Sequence, residues 1–275
     1  MATFRQALIE KVIGHKYAID AQWLGDDSLL AWSNLGYWQA QQHNYPLACQ
    51  SLADQIAASV QLKSTDCVLE LGCGRGASLL HWLHHYHIKQ LSAVELQKDC
   101  IQTIQKELPQ VESYCGSFLN LKSLHFLNLF DVVLCIDAAY HSELNLFLDS
   151  VSSVLNSKGR IAFHYLMLWD DWQHCSYLQK QQYHCLLKAA DVTWQHLMNG
   201  QQLSQTLAQH GFKDIVIQDF SEPVLNGFAQ YIETQSARKR PFGFARLKIA
   251  MTARLCQKLY QDGLVRYVQV SAVKN

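Results

Sequence analysis

The sequence predicts an α/β fold, with a parallel sheet covered by helices on both faces. Three observations predict it. From residue 66 onward, short apolar runs alternate with stretches whose apolar residues recur at helical spacing. The first apolar run, Val68-Leu69-Glu70-Leu71, opens directly into Gly72-Cys73-Gly74-Arg75-Gly76, and a helix-competent run from Ala77 to Leu83 follows. A second short apolar run, Leu91-Ser92-Ala93-Val94, ends in another acid, Glu95. Alternation of this kind places successive strands parallel and puts the helices on the sheet faces.

Taken in order, residues 1–60 read as a helical and aromatic N-terminal segment. Apolar residues recur at helical spacing around Phe4, Leu8, Ile9 and Val12, and again around Leu47, Leu52, Ile56 and Val60. Between them lies an aromatic stretch, Leu29 to Trp38, interrupted by Gly36. Residues 61–275 form the α/β domain. Strands are expected at Cys67–Leu71, Leu91–Glu95, Val111–Cys115, Phe130–Asp137, Arg160–Tyr165, Lys213–Phe220 and Leu264–Ala272. Helices are expected at Ala77–Tyr86, Lys98–Leu108, Leu144–Leu155 and Gly200–His210. Two insertions interrupt the alternation. Residues 166–199 are rich in Trp and Tyr, and 221–263 read as mostly helical. Insertions this long in a compact sheet are commonly functional.

The glycine run carries the chemistry. Glycine lacks a β-carbon, so it accepts positive φ and lets a ligand lie against the backbone. A helix start offers unpaired N–H groups. Together they make a nucleotide cradle at the carboxyl end of a strand. A dinucleotide site spaces its glycines Gly-x-Gly-x-x-Gly around a pyrophosphate. Here the third glycine comes one residue earlier, and Glu70 stands two residues before the first. A carboxylate at the cradle suits a ligand with a cationic amine better than a pyrophosphate. Glu95 lies about 20 residues past the glycines, where an acid in a mononucleotide-binding unit accepts bonds from ribose hydroxyls.

Composition narrows the classes. The 275 residues are enough for one sizeable core. Formal net charge is zero and the isoelectric point is about 7.2, so no global basic field draws in nucleic acid or anionic lipid. Arg238-Lys239-Arg240 is the densest basic cluster and reads as a solvated turn. No apolar run approaches the roughly 18 residues of a membrane span, and the N-terminus lacks a secretion-type apolar region. The nine cysteines are scattered, which fits free, buried thiols in a reducing cytoplasm.

The pattern Glu70-x-Gly72-x-Gly74-x-Gly76 resembles the first motif of class I S-adenosylmethionine (SAM) methyltransferases. The whole chain resembles their small-molecule branch, in which natural-product sugar O-methyltransferases and tocopherol methyltransferases share its general plan. Asn34-Leu35-Gly36-Tyr37-Trp38 is similar to their N-terminal aromatic element. Phe130 to His141 is similar to their fourth strand and following loop, Val154 to Arg160 to the turn into the fifth strand, and Gly263-Leu264-Val265-Arg266-Tyr267 to the approach to the last. The resemblance implies a Rossmann-like, seven-stranded, mostly parallel sheet with an antiparallel last strand. It implies SAM as cofactor, with Glu70, Gly72, Cys73, Gly74, Glu95, Leu96, Ser117, Phe118 and Asp137 as the binding set. Two positions depart from the family. Where an acid usually binds the adenine amino group, this chain reads Cys115-Gly116-Ser117-Phe118, and a serine accepts that bond more weakly. Where some sugar methyltransferases place a catalytic acid at the end of the fifth strand, this chain has His164-Tyr165.

The remaining candidates are histidines and aromatics. His81, His84 and His85 share a helix face without the further ligands a metal needs, which reads as a solvent face; no metal is expected. His174-Cys175 and His184-Cys185 lack a zinc spacing. His141 follows the fourth strand, where ligands of α/β folds sit, and imidazole suits a general base at neutral pH. Tyr140 beside it would place the acceptor, and Tyr37 and Trp38 would belong to a mobile cover. The reading is a cytoplasmic, SAM-dependent methyltransferase of a small-molecule acceptor, with O- or N-methylation, no nucleic-acid partner and no stable membrane insertion. The alternatives are a lipid or quinone methyltransferase at a membrane surface and a non-catalytic SAM-binding protein.

Overall fold

The computed structural model describes residues 21–40, 43–236 and 244–275. The helical spacing around Phe4 to Val12 and the Arg238-Lys239-Arg240 cluster lie outside the described residues. Seven strands form one sheet: β1 (Cys67–Leu71), β2 (Gln90–Glu95), β3 (Glu112–Cys115), β4 (Phe130–Cys135), β5 (Leu155–Leu168), β6 (Phe212–Asp219) and β7 (Val265–Lys274). Their order is β3-β2-β1-β4-β5-β7-β6. The first five pair in parallel, and β7 runs antiparallel to both β5 and β6. This is the expected Rossmann-like sheet. Chain order reverses at β1, which pairs with β2 on one side and β4 on the other. The crevice at the carboxyl ends there is the ligand position of such sheets.

The helices follow from caps and apolar faces. Helix α1 (Tyr45–Ser59) begins with Asn44, whose side chain accepts from the Leu47 amide, and with proline in its first turn. Its inward face, including Ala48, Leu52, Ala53 and Ile56, is fully buried. Of these, Leu52 and Ile56 contribute roughly 1.5–3 kcal/mol each on burial. Helices α2 (Ala77–His84), α3 (Lys98–Glu107) and α4 (Leu144–Ser152) are the crossovers between parallel strands, and Leu79, Trp82, Ile104, Phe147 and Leu148 fill the core. Helices α5 (Tyr177–Ala189) and α6 (Gly200–Gln209) each start with a capping box, Ser176 with Gln179 and Asn199 with Gln202. Residues after β6 form a wide turn, Ser221–Asn226, then α7 (Gly227–Ser236) and α8 (Phe244–Asp262).

Three expectations need correction. The fifth strand is far longer than Arg160–Tyr165. Leu155 already pairs with Phe130, a register slip between Phe130 and Val132 absorbs Asn156–Gly159, and the far end runs on to Leu168 against Val265. His164-Tyr165 therefore sits mid-strand rather than at the strand's end. His164 is fully buried, with Nε2 3.3 Å from Gln269 Oε1, and burial pushes its pKa down to about 3, so it is neutral. Second, the α2 histidines do not share a solvent face. His81 is buried, with Nε2 2.7 Å from Asp54 Oδ1, and Tyr86 donates to the same oxygen at 3.0 Å. These contacts pin α2 to α1. Third, all nine cysteines are free as expected, but Cys115 and Cys185 are exposed rather than buried.

Candidate cofactor site

The polypeptide leaves β1 at Leu71 and turns through three glycines of positive φ, Gly72 (+69°), Gly74 (+54°) and Gly76 (+90°). A β-carbon at Gly72 would lie 2.8 Å from Ala138 Cβ, and one at Gly74 would lie 2.9 Å from Ser33 Oγ. Ala138 Cβ cannot turn aside, so Gly72 requires glycine on space as well as on φ, whereas at Gly74 the exposed Ser33 hydroxyl could rotate away and the requirement rests on φ. The turn is thus held between two neighbours, the loop after β4 and the N-terminal segment. Cys73 is buried within it, and burial raises its thiol well above the usual range, which makes it packing rather than a nucleophile.

The two acids play different parts. Glu70 is buried with both oxygens in use. Oε1 accepts from the Ser78 hydroxyl at 2.5 Å, and Oε2 from the Trp82 indole N–H at 2.6 Å. This corrects the expectation of a carboxylate standing open to a cationic amine. Glu70 fixes the first turns of α2, and so the turn that leads into them. Burial raises its carboxyl to about 7, and the charge of Glu95 adds to the rise. Glu95 faces the glycine turn directly. Its Oε2 accepts from the Gly74 amide at 3.0 Å and its Oε1 from the Gln97 amide at 2.9 Å. Glu95 is itself buried, at 6% exposure, but its partners are backbone amides of the turn rather than helix side chains, and a carboxylate has about four acceptor positions.

Next to Glu95, Leu96 is 59% exposed at the end of β2, and Ser117 is exposed after β3. The Ser117 hydroxyl accepts from the Leu119 amide at 3.2 Å and starts a short helical turn. Phe118 stands edge-on to Phe147 and comes within 4.0 Å of where a Gly72 β-carbon would be. Gly72, Glu95, Leu96, Ser117 and Phe118 therefore gather at the carboxyl ends of β1, β2 and β3. An open depression of about 150 Å³ lies at the opposite, amino end, against Lys89, Gln90 and Leu127, and touches none of these residues.

The loop after β4 brings the other candidates. Asp137 has φ +53°, and its Oδ2 accepts from the Leu35 amide at 2.7 Å. Its Oδ1 accepts from the Tyr267 hydroxyl and, more distantly, from Tyr140 at 3.4 Å. Burial raises the Asp137 carboxyl above the usual range. His141 ends a short turn, Ala139–His141, with its ring 4.5 Å from that of Tyr140. Its Nδ1 lies 3.1 Å from the Asp191 carbonyl in the first insertion. A carbonyl can only accept, so that bond places a proton on Nδ1.

The proposed cover residues separate. Trp38 is buried, stacks on Tyr231 at 4.3 Å between ring centroids, and donates from its indole to Leu35 O at 2.8 Å. It is an anchor, not a ring free to swing over a ligand. Tyr37 is half-buried and edge-on to Phe220. Two residues at the site were missed from sequence. Ser33 is exposed directly over Gly74, and Tyr267 reaches Asp137 from β7. Ser33 sits immediately before the Asn34–Trp38 element, which is the signal that could have found it. Tyr267 has no local signal, because its partner is 130 residues away.

Residues 68–159 match a methyltransferase domain family model. A stretch of 78 residues is 38% identical to ribosomal RNA small subunit methyltransferase A of Synechococcus elongatus, 27% of each chain. The chain thus spans about a quarter of the length of the curated relatives it matches. Solved structures align over nearly the full length. The cyclopropane synthase MmaA2 from Mycobacterium tuberculosis has a TM-score of 0.74 at 15% identity, with 97% of this chain and 98% of that one covered. Geranyl diphosphate C-methyltransferase from Streptomyces coelicolor, solved with S-adenosyl-L-homocysteine, has a TM-score of 0.70 at 15% identity, with 97% of each covered. The positive-φ glycine turn, the carboxylate of Glu95 beside it and the exposed Leu96 and Ser117 fit an adenosyl cofactor. Residues 68–159 thus match a methyltransferase domain, set within a fold that the chain shares with the cyclopropane synthase and the C-methyltransferase.

Proposed function

We propose that this chain transfers the methyl group of SAM to a hydroxyl or amine of a small, partly apolar metabolite. The observation that carries the reading is the glycine turn with Glu95 bonded to the Gly74 amide, at the carboxyl end of the sheet. In this reading Glu95 holds the ribose, Gly72 and Gly74 admit the methionine part, and Leu96, Ser117 and Phe118 border the adenine. Ser33 and Tyr37 close the site from above. When bound, SAM supplies an electrophilic methyl on a sulfonium. The chain's own residues then have to orient the nucleophile and exclude water. His141 accepts the acceptor's proton at Nε2, with Nδ1 held by the Asp191 carbonyl, and Tyr140 positions the acceptor beside it.

Incubation with methyl-labelled SAM and a metabolite extract, followed by mass spectrometry, tests the proposal. A labelled small molecule is expected; label found only in RNA would overturn it. His141→Ala should lower turnover on that acceptor by about 10²–10⁴ while leaving SAM affinity nearly intact. Near-native turnover in the variant would remove the histidine from the mechanism.

A second reading, an acyl or isoprenoid acceptor methylated at carbon, is favoured by the structural neighbours. They include a mycolic acid cyclopropane synthase and a geranyl diphosphate C-methyltransferase. Labelling of a lipid fraction rather than the polar fraction of the same extract would select it.

A further inference from the structure

The loop after β4 carries a carboxylate that does more than border a cofactor. Asp137 keeps a left-handed backbone, φ +53°, which costs energy in a non-glycine residue and persists where its surroundings enforce it. Three parts of the chain enforce it. Tyr267 donates from β7, Tyr140 from the following turn, and the Leu35 amide from the N-terminal segment. The next residue, Ala138, packs where a β-carbon of Gly72 would sit. Leu35 is two residues from Ser33, which lies over Gly74. One side chain thus joins the wall against Gly72 to the segment lying over Gly74.

The rest of that segment is tied elsewhere. Upstream, Asp26 accepts from the Trp32 amide at 2.8 Å. Downstream, the Tyr37 amide donates to Ala48 O in α1, and the Trp38 amide to Pro223 O before α7. Between these anchors, Asn34 folds back on its own segment and α1, accepting from the Gly36 amide and donating to Cys49 O. The Leu35–Asp137 bond ties the same stretch to the sheet edge that forms the cradle.

We propose that Asp137 is a positioning residue that fastens residues 33–36 over the cofactor cradle, so that closure of this segment and cofactor binding are coupled through its carboxylate. The proposal rests on reading the glycine turn as the SAM site. It assigns Asp137 no step in methyl transfer and no direct bond to the cofactor.

Two variants of the full chain separate this role from general folding. Asp137→Gly accepts the left-handed backbone without strain but removes the acceptor for Leu35. Asp137→Asn keeps a side-chain carbonyl that the Leu35 amide can reach. SAM affinity is measured by calorimetry, and amide exchange of residues 33–36 by mass spectrometry with and without SAM. In the native protein SAM should slow exchange across 33–36. In Asp137→Gly affinity should fall about 10- to 100-fold, in line with loss of a charge-assisted bond. Exchange at 33–36 should then no longer respond to SAM, while β1, β4 and β5 exchange as in the native protein. Asp137→Asn should recover most of both readouts. Native affinity and native protection in Asp137→Gly would overturn the proposal. So would faster exchange spread evenly over the sheet, which would mark Asp137 as a general structural residue. Failure of the native protein to bind SAM would instead overturn the cofactor reading, and the coupling with it.

Discussion

At the scale of single residues, two acids recognisable in the sequence divide the work between them. Glu95 bonds the glycine turn through Gly74 and is the proposed ribose acceptor. Glu95→Ala removes that acceptor, and SAM should bind about 10- to 100-fold more weakly by calorimetry. Unchanged affinity would take Glu95 out of the site. Glu70 is spent on Ser78 and Trp82. Burial lifts its carboxyl from 4.5 to about 7, so between those pH values the folded chain holds a proton that the unfolded chain has released. Its contribution to stability is therefore fully present below about 4.5 and is lost as pH rises toward 7, a change on the order of 3 kcal/mol. Glutamine keeps the shape, accepts from Trp82 and donates to the Ser78 oxygen, with no charge to bury. Urea unfolding at pH 5 and pH 8 should show the native protein losing more stability than Glu70→Gln between the two. Parallel losses would mean that Glu70 is not the titrating group. Position in the sequence identified both acids, but the orientation of Glu70 depends on a helix packed eight and twelve residues further on.

At the scale of elements, the strands were legible where burial on both faces makes a continuous apolar run, as in β1 and β4, which matched the expected starts at Cys67 and Phe130. The start of β5 was not legible. Asn156-Ser157-Lys158-Gly159 has the composition of a turn, and Lys158 does take positive φ, yet Leu155 is held in the sheet by Phe130. The N-terminal segment was legible as aromatic and non-linker, but not as holding a fixed anchor, Trp38, beside the proposed cover residue Tyr37. Trp38 is fixed by Tyr231 and by Gly227, whose β-carbon would come within 2.4 Å of Trp38 Cβ. Trp38→Ala should therefore cost about 3–5 kcal/mol of stability, as for a buried large aromatic side chain. Tyr37→Ala, from a half-buried site, should cost less and act mainly on SAM affinity. If chemical denaturation gave equal losses for the two, the division of this segment into anchor and cover would be wrong.

At the scale of the whole molecule, the site depends on a sheet that is completed last. Sequence alternation predicts the parallel strands, because each strand–helix unit is local. It cannot predict that β7, the final strand, inserts between β5 and β6, where its pairing with β5 joins residues from 97 positions apart (Leu168 with Val265) to 113 (Arg160 with Val273). That insertion carries Tyr267 to Asp137 and Gln269 to His164, so the C-terminal strand supplies partners for both the candidate site and the core. Its tail is also tied in. Lys274 Nζ donates to the Ser152 and Leu155 carbonyls at 2.7 Å each, which secures the end of α4 and the start of β5. Most of β7 is buried, so removing residues 265–275 would leave β5 and β6 without their shared partner and expose both of their inner edges. Such a truncation should abolish cooperative unfolding and SAM binding together, rather than trim a dispensable end. Circular dichroism melting and limited proteolysis check it. A truncated chain that melted cooperatively near the native temperature would show that β1 to β5 fold without β7, and would leave the contacts of Tyr267 as local refinement of a site already formed.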